Sequence, residues 1–147
     1  MTRFFPRFIS SFSVLLICAA CGGSTATDDA GANDTTLEAT LSSIQENIFT
    51  PSCASSGCHS NTSASAGLSL AEGESFDALV GVASTEAATL NRVTAGDPDA
   101  SYLIHKLEGT QVGVGGSGSR MPASGSFLSD EEVQVIRDWI TAGAENN

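Results

Sequence analysis

Two cysteines and a histidine stand close together in the first half of the chain, in the segment Pro51-Ser52-Cys53-Ala54-Ser55-Ser56-Gly57-Cys58-His59. Two such thiols can add to the two vinyl groups of a haem, and a histidine directly after the second thiol can then reach the iron. The usual motif has two residues between the cysteines, whereas this one has four. A longer loop can bulge outward while both sulfurs keep their places, so the segment is compatible with a covalent haem.

The first residues have the composition of a targeting segment. Residues 1–8 contain two arginines and no acid, and residues 9–20 are apolar apart from serines. A basic start followed by an apolar stretch too short for a transmembrane helix is typical of a secretory signal peptide. We therefore predict that residues 1–20 are a signal peptide and that the protein leaves the cytoplasm.

The signal ends in Cys18-Ala19-Ala20-Cys21, and two small residues before a cysteine resemble a bacterial lipobox. The resemblance implies that Cys21 is lipidated, although Cys18 stands where leucine is usual; an ordinary cleaved signal is the alternative. Residues 21–36 contain no large apolar residue and predict a flexible tether, which favours the lipoprotein. Gly22 is not acidic, and by resemblance to sorting in Gram-negative bacteria this implies an outer-membrane lipoprotein on the periplasmic side.

The charge of the chain limits its partners. Six basic residues stand against seventeen acidic ones, for a net charge of −11. Such a chain repels nucleic acid and anionic lipid, and it favours a basic protein partner. No apolar stretch after the signal is long enough to span a membrane, so we expect membrane attachment only through a lipid at Cys21.

Residues 37–147 show the spacing of short helices and no convincing alternation of period two. A first helix is predicted over residues 36–48, from apolar positions at Leu37, Leu41, Ile44 and Ile48, and Pro51 should end it. A short helix follows at 75–80. The intervening residues 52–67 form a polar loop that carries the cysteines.

Two later helices have clear boundary signals. Asp97 as N-cap and Pro98 as first residue predict the start of a third helix, which should end at Gly109. Residues 111–119 are glycine-rich and predict an exposed, mobile loop. Ser129 and Glu132 then form a capping box for a last helix. Its predicted apolar stripe is Val133, Ile136, Trp139 and Ile140, with Leu128 packed on Val133 across the cap and Gly143 at the end.

The order of short motifs over residues 37–144 resembles a family of small bacterial cytochrome-c-like domains found in exported proteins. The matching segments are Ile-Phe-Thr-Pro-Ser-Cys at 48–53, Gly67-Leu68-Ser69-Leu70, Gly96-Asp97-Pro98-Asp99-Ala100-Ser101-Tyr102-Leu103, Arg120-Met121-Pro122 and the closing residues 128–144. The resemblance implies a mainly α, cytochrome-c-like fold, with short helices and long loops packed around one haem c. It also implies that the last helix packs against the first near the haem.

By the same resemblance, Cys53 and Cys58 attach the haem, His59 is the proximal iron ligand and Met121 is the distal ligand. Met121 is the only methionine left once the signal is removed, and it lies in a glycine-rich segment before Pro122. His105 is the rival ligand. At about 100° per residue it should point away from the apolar face of the third helix, on the same side as Tyr102 and Lys106. A six-coordinate iron of this kind suits one-electron transfer, so we expect an electron carrier and not an enzyme.

Two alternatives to the haem stay open. Cys53 and Cys58 could form a disulfide in an exported binding or structural module, although this does not explain His59 or the Met-Pro segment. Zinc on Cys53, Cys58, His59 and His105 is the other alternative, but adjacent residues are awkward as two ligands of one tetrahedron.

Overall fold

The computed structural model describes residues 36–147, and these residues are mainly helical, as predicted. The predictions for the signal peptide, for lipid on Cys21 and for most of the tether lie outside the described residues. The helices are α1 (Leu41–Ile44), which continues as a π-helical segment (Gln45–Cys53), α2 (Ser75–Leu79), α3 (Tyr102–Glu108) and α4 (Asp130–Thr141), with 3₁₀ turns at Ser65–Gly67 and Gln111–Val114. Within residues 36–147, no helix has the length and apolar character needed to cross a bilayer.

The first helix differs from its prediction at both ends. It begins at Leu41 because the Thr40 side chain accepts a hydrogen bond from the Ser43 amide and so caps the helix there. It also does not stop at Pro51, since the wider π-helical turn runs through the proline to Cys53. The proline ring would clash with the carbonyl four residues back in an α-helix, and a π-turn relaxes that geometry. The helical chain therefore leads directly to the first cysteine.

The prediction for α2 is confirmed to within one residue, whereas the predicted start of α3 is wrong. The Asp97 carboxylate accepts a hydrogen bond from the Ala100 amide at 3.0 Å, so it caps a separate turn and not the helix. Ser101 takes the N-cap position, and α3 begins at Tyr102. Gly109 ends the helix in the left-handed conformation, as expected.

The last helix is as the sequence predicts. Ser129 accepts a hydrogen bond from the Glu132 amide, and the Glu132 carboxylate accepts one from the Ser129 amide, which is a complete capping box. Every residue of the predicted stripe is buried: Val133, Ile136, Trp139 and Ile140. Leu128 is buried as well, as a staple with Val133 requires.

The core lies between the first helix, α3 and α4. Ile44 and Ile48 from the first helix and Ile136 and Ile140 from α4 are fully buried in one apolar cluster, to which α3 adds Ile104 and Leu107. The first and last helices contact each other, as the resemblance implied. Between α2 and α3 the chain makes only isolated β-bridges, such as Val80 to Val93.

Candidate functional site

A largely apolar cavity of about 450 Å³ opens beside this core. Its volume lies in the range of about 300–1,000 Å³ that is usual for small-molecule and cofactor sites. Cys53, Cys58, His59 and Met121 all line it, although α2 and α3 separate the first three from Met121 in the chain. The cavity therefore brings together the four residues that the sequence singled out.

The loop of residues 53–59, which carries both cysteines, lies against the cavity, and a backbone hydrogen bond joins its two ends. The His59 amide donates to the Cys53 carbonyl at 3.1 Å, which returns the chain to the end of the π-helical segment. Residues 55–57 are exposed, and Ser55 and Gly57 also border the cavity. Both cysteines are free thiols, with Cys58 exposed and Cys53 partly buried.

The two thiols have different surroundings. Burial raises the pKa of the Cys53 thiol from 9.0 to about 11, with smaller contributions from the neighbouring charges of Cys58 and Glu132. Cys53 therefore keeps its proton at neutral pH and packs against the core as an apolar side chain.

The His59 ring is fixed by one hydrogen bond. Its Nδ1 lies 3.1 Å from the carbonyl oxygen of Leu68. A carbonyl can only accept, so Nδ1 carries a proton, and in the neutral ring the lone pair lies on Nε2. A backbone carbonyl on the second ring nitrogen is how proteins orient metal-binding histidines.

Arg92 holds the loop that supplies this carbonyl. Its guanidinium donates to the carbonyls of Ala66 and Gly67 at 3.0 and 3.1 Å, and to that of Ala78 at 2.9 Å. Ala66 has a φ of +55°, a backbone conformation that costs free energy for a residue other than glycine. Burial lowers the pKa of Arg92. The strained turn next to Leu68 is thus held by a guanidinium on the cavity wall.

Met121 lines the cavity from a loop after α3. Its amide donates to the carbonyl of Lys106, in the last turn of α3, at 2.8 Å. The side chain is partly buried and packs against the core cluster. The thioether therefore sits on a loop that is bonded to a helix end.

His105 does not line the cavity. Its Nδ1 lies 2.8 Å from the Thr110 hydroxyl, and its Nε2 lies 3.0 Å from the Asp99 carbonyl oxygen, so both ring nitrogens have partners. Tyr102 and Lys106, which we expected on the same side of the helix as His105, are buried on the cavity wall. This side of α3 is therefore only partly exposed.

The remaining walls come from α3 and from the loops. No residue of α4 lines the cavity, although we expected the last helix to pack against the first near the haem. The charged lining residues are Glu86, Arg92 and Lys106. Most acidic side chains therefore lie elsewhere on the surface.

A polar cluster on the wall was not predicted from the sequence. Lys106 pairs with Glu86 at 3.0 Å, and the Tyr102 hydroxyl donates to the same carboxylate at 3.0 Å. Lys106 also donates to the Ser117 carbonyl at 3.0 Å, which ties down the glycine-rich loop. Burial and the Glu86 hydrogen bond raise the pKa of Tyr102, so the phenol stays protonated. No local sequence signal links residues so far apart in the chain.

No protein-family model, curated protein or solved structure matches this chain. Within residues 36–147, no group of three or more histidine, cysteine, aspartate or glutamate side chains is placed to hold a metal ion.

Proposed function

We propose that this chain is an exported c-type cytochrome domain that holds one covalent haem at Cys53 and Cys58 and serves one-electron transfer. The observation that carries the proposal is that Cys53, Cys58, His59 and Met121 line one cavity of about 450 Å³. The contact of His59 Nδ1 with the Leu68 carbonyl also leaves Nε2 as the ring nitrogen that would bind a metal.

The donor set fits a haem. Two thiols, a neutral imidazole and a thioether are the protein groups that c-type haem uses for attachment and axial ligation. The haem would supply a reversible one-electron couple at its iron. The chain would supply His59 and Met121 as the iron ligands, and a methionine ligand raises the reduction potential relative to a second histidine. The apolar residues of the cavity, such as Phe49, Leu70 and Leu79, would exclude water.

Arg92 also fits this occupant. Among the charged residues described on the wall, Glu86 and Lys106 pair with each other, whereas Arg92 contacts only backbone carbonyls. A cation without a carboxylate partner favours a ligand that carries negative charge, and haem carries two propionates.

The proposed partner is a basic redox protein. The chain has a net charge of −11. In residues 36–147, Lys106 and Arg137 form ion pairs with acids of the same chain, and Arg92 and Arg120 donate to backbone carbonyls. Each of these four cationic side chains therefore has a partner within the chain. The net negative charge of the domain would steer a basic partner toward it, and the association would weaken as the salt concentration rises. With Cys21 lipidated, encounter would take place at the outer membrane, on the periplasmic side.

The test is the visible spectrum of protein co-expressed with a cytochrome-c maturation system. We expect a sharp low-spin spectrum on reduction, which His59→Ala abolishes. Met121→Ala should remove the far-red methionine–iron band of the oxidised protein and lower the reduction potential. His105→Ala is the matched control and should leave the spectrum unchanged, because both nitrogens of that ring are bonded away from the cavity.

The same preparation distinguishes the alternative. If the purified protein carries no haem and Cys53 is joined to Cys58, the chain is an exported disulfide-bonded module. A spectrum that His105→Ala abolishes would instead refute Met121 as the distal ligand.

A further inference from the structure

The C-terminal end of α3 supports the loop that carries Met121. The last carbonyls of a helix have no partner within the helix and need donors from elsewhere. Here the Met121 amide donates to the carbonyl of Lys106 at 2.8 Å, and Arg120 Nε donates to that of Leu107 at 2.6 Å. Two successive residues of the loop thus complete the end of the helix.

Gly109 brings the Arg120 side chain close to the helix end. A Cβ at Gly109 would lie 3.1 Å from Cδ of Arg120, and the φ of +80° already favours glycine. The arginine stem therefore lies flat against the backbone at the helix stop. A cation in this position also interacts favourably with the negative end of the helix dipole.

Phe127 holds the guanidinium from the other side. The Arg120 guanidinium carbon lies 4.2 Å from the centre of the Phe127 ring. Phe127 is 48% exposed, which is unusual for a phenylalanine and is accounted for by this stacking. Arg120 is thus fixed by a helix carbonyl, a glycine and an aromatic ring, directly before Met121.

We propose that Arg120 is a positioning residue for Met121, which sets how firmly the thioether is held at the cavity. The inference rests on the proposed function where it concerns iron ligation. Loss of the Arg120 side chain would remove one of the two hydrogen bonds that hold the loop to the end of α3, while leaving Met121 itself intact. An external ligand of the iron would then displace the Met121 thioether more readily.

Binding of imidazole to the oxidised, haem-loaded protein measures this directly, because imidazole must displace the methionine. We expect Arg120→Ala to raise the affinity for imidazole about tenfold, which is about 1.4 kcal/mol. Phe127→Ala, which removes only the stacking, should raise it by about threefold. The matched control is Arg137→Ala, whose arginine joins α4 to Asp99 and Glu108 away from the cavity. It should leave the affinity within about twofold of the unaltered protein.

A second readout needs no haem. The Met121 amide is bonded to Lys106, so its hydrogen exchange reports whether the loop stays on the helix. We expect faster exchange at Met121 in Arg120→Ala and no change there in Arg137→Ala. Phe127→Ala gives the same comparison if Arg120→Ala does not fold.

The outcomes separate the two ideas. If the unaltered protein carries no covalent haem, the proposed function fails, and hydrogen exchange alone decides the role of Arg120. If haem and the methionine band are present but Arg120→Ala and Phe127→Ala behave as Arg137→Ala does in both assays, the positioning role is overturned while the proposed function stands.

Discussion

The Cys53 thiol makes the stability of the haem-free chain depend on pH. Its pKa is raised from 9.0 to about 11 in the folded protein, mainly by burial. Above pH 9 the unfolded chain releases the thiol proton while the folded chain keeps it, so the free energy of unfolding falls as pH rises from about 9 through 11. At pH 10, one unit above the pKa of the unfolded chain and one unit below that of the folded chain, the loss of unfolding free energy is about 1.4 kcal/mol, since one pH unit in this range is worth about 1.4 kcal/mol.

Urea unfolding of the reduced, haem-free protein at pH 7 and pH 10 tests this, with Cys53→Ser as the reference. Other groups titrate in both proteins, so the reference removes their contribution. Between the two pH values, the unaltered chain should lose about 1.4 kcal/mol more than the variant. Equal losses in the two proteins would show that Cys53 is not held in an apolar environment and would refute its placement against the core.

Three further substitutions and one control test the stability of the fold by urea unfolding. Gly116→Ala should cost about 1–3 kcal/mol, because a Cβ there would lie 2.8 Å from Cζ of Tyr102 and closer still to its hydroxyl, whereas Gly113→Ala meets open space and should change little. Arg92→Gln should lower the free energy of unfolding by about 2 kcal/mol through lost hydrogen bonds to carbonyls, and an unchanged value would contradict its role in holding the loop. Ser129→Ala should cost about 1 kcal/mol by removing the helix cap, and no loss would show that the cap adds nothing.

Local signals in the sequence predicted the last helix completely. The capping box at Ser129 and Glu132 fixes its start, and the apolar spacing that ends at Ile140 fixes its buried face. Both signals act within a few residues, so no other part of the chain has to be known. The same holds for the end of α3 at Gly109, where a left-handed residue is needed.

The errors came where competing hydrogen bonds or an unusual helical turn overrode a standard boundary signal. Asp97 and Pro98 have the pattern of a helix start, yet the chain forms a turn there, because the Ser101 hydroxyl donates to the Asp97 carbonyl and its oxygen accepts from the Thr94 amide. Pro51 has the pattern of a helix stop, yet a π-helical turn passes it. Competing hydrogen bonds decided the first case and a wider helical turn the second.

The sequence could single out four residues that line the cavity, but not the residues that support them. Chemistry singles out Cys53, Cys58 and His59 because they lie close together in the chain, and the resemblance added Met121. The contacts of Arg92 and Arg120 depend on carbonyls that only the folded chain brings to them. Backbone acceptors leave no trace in residue type, so no role could be assigned to either arginine from the sequence.

The most direct test of the central claim is the intact mass of the mature protein after co-expression with a cytochrome-c maturation system, measured under denaturing and reducing conditions. We predict a protein that is heavier by one haem, and a Cys53→Ser, Cys58→Ser double variant that lacks this mass. A protein of unmodified mass, with both thiols free after reduction, would contradict the account.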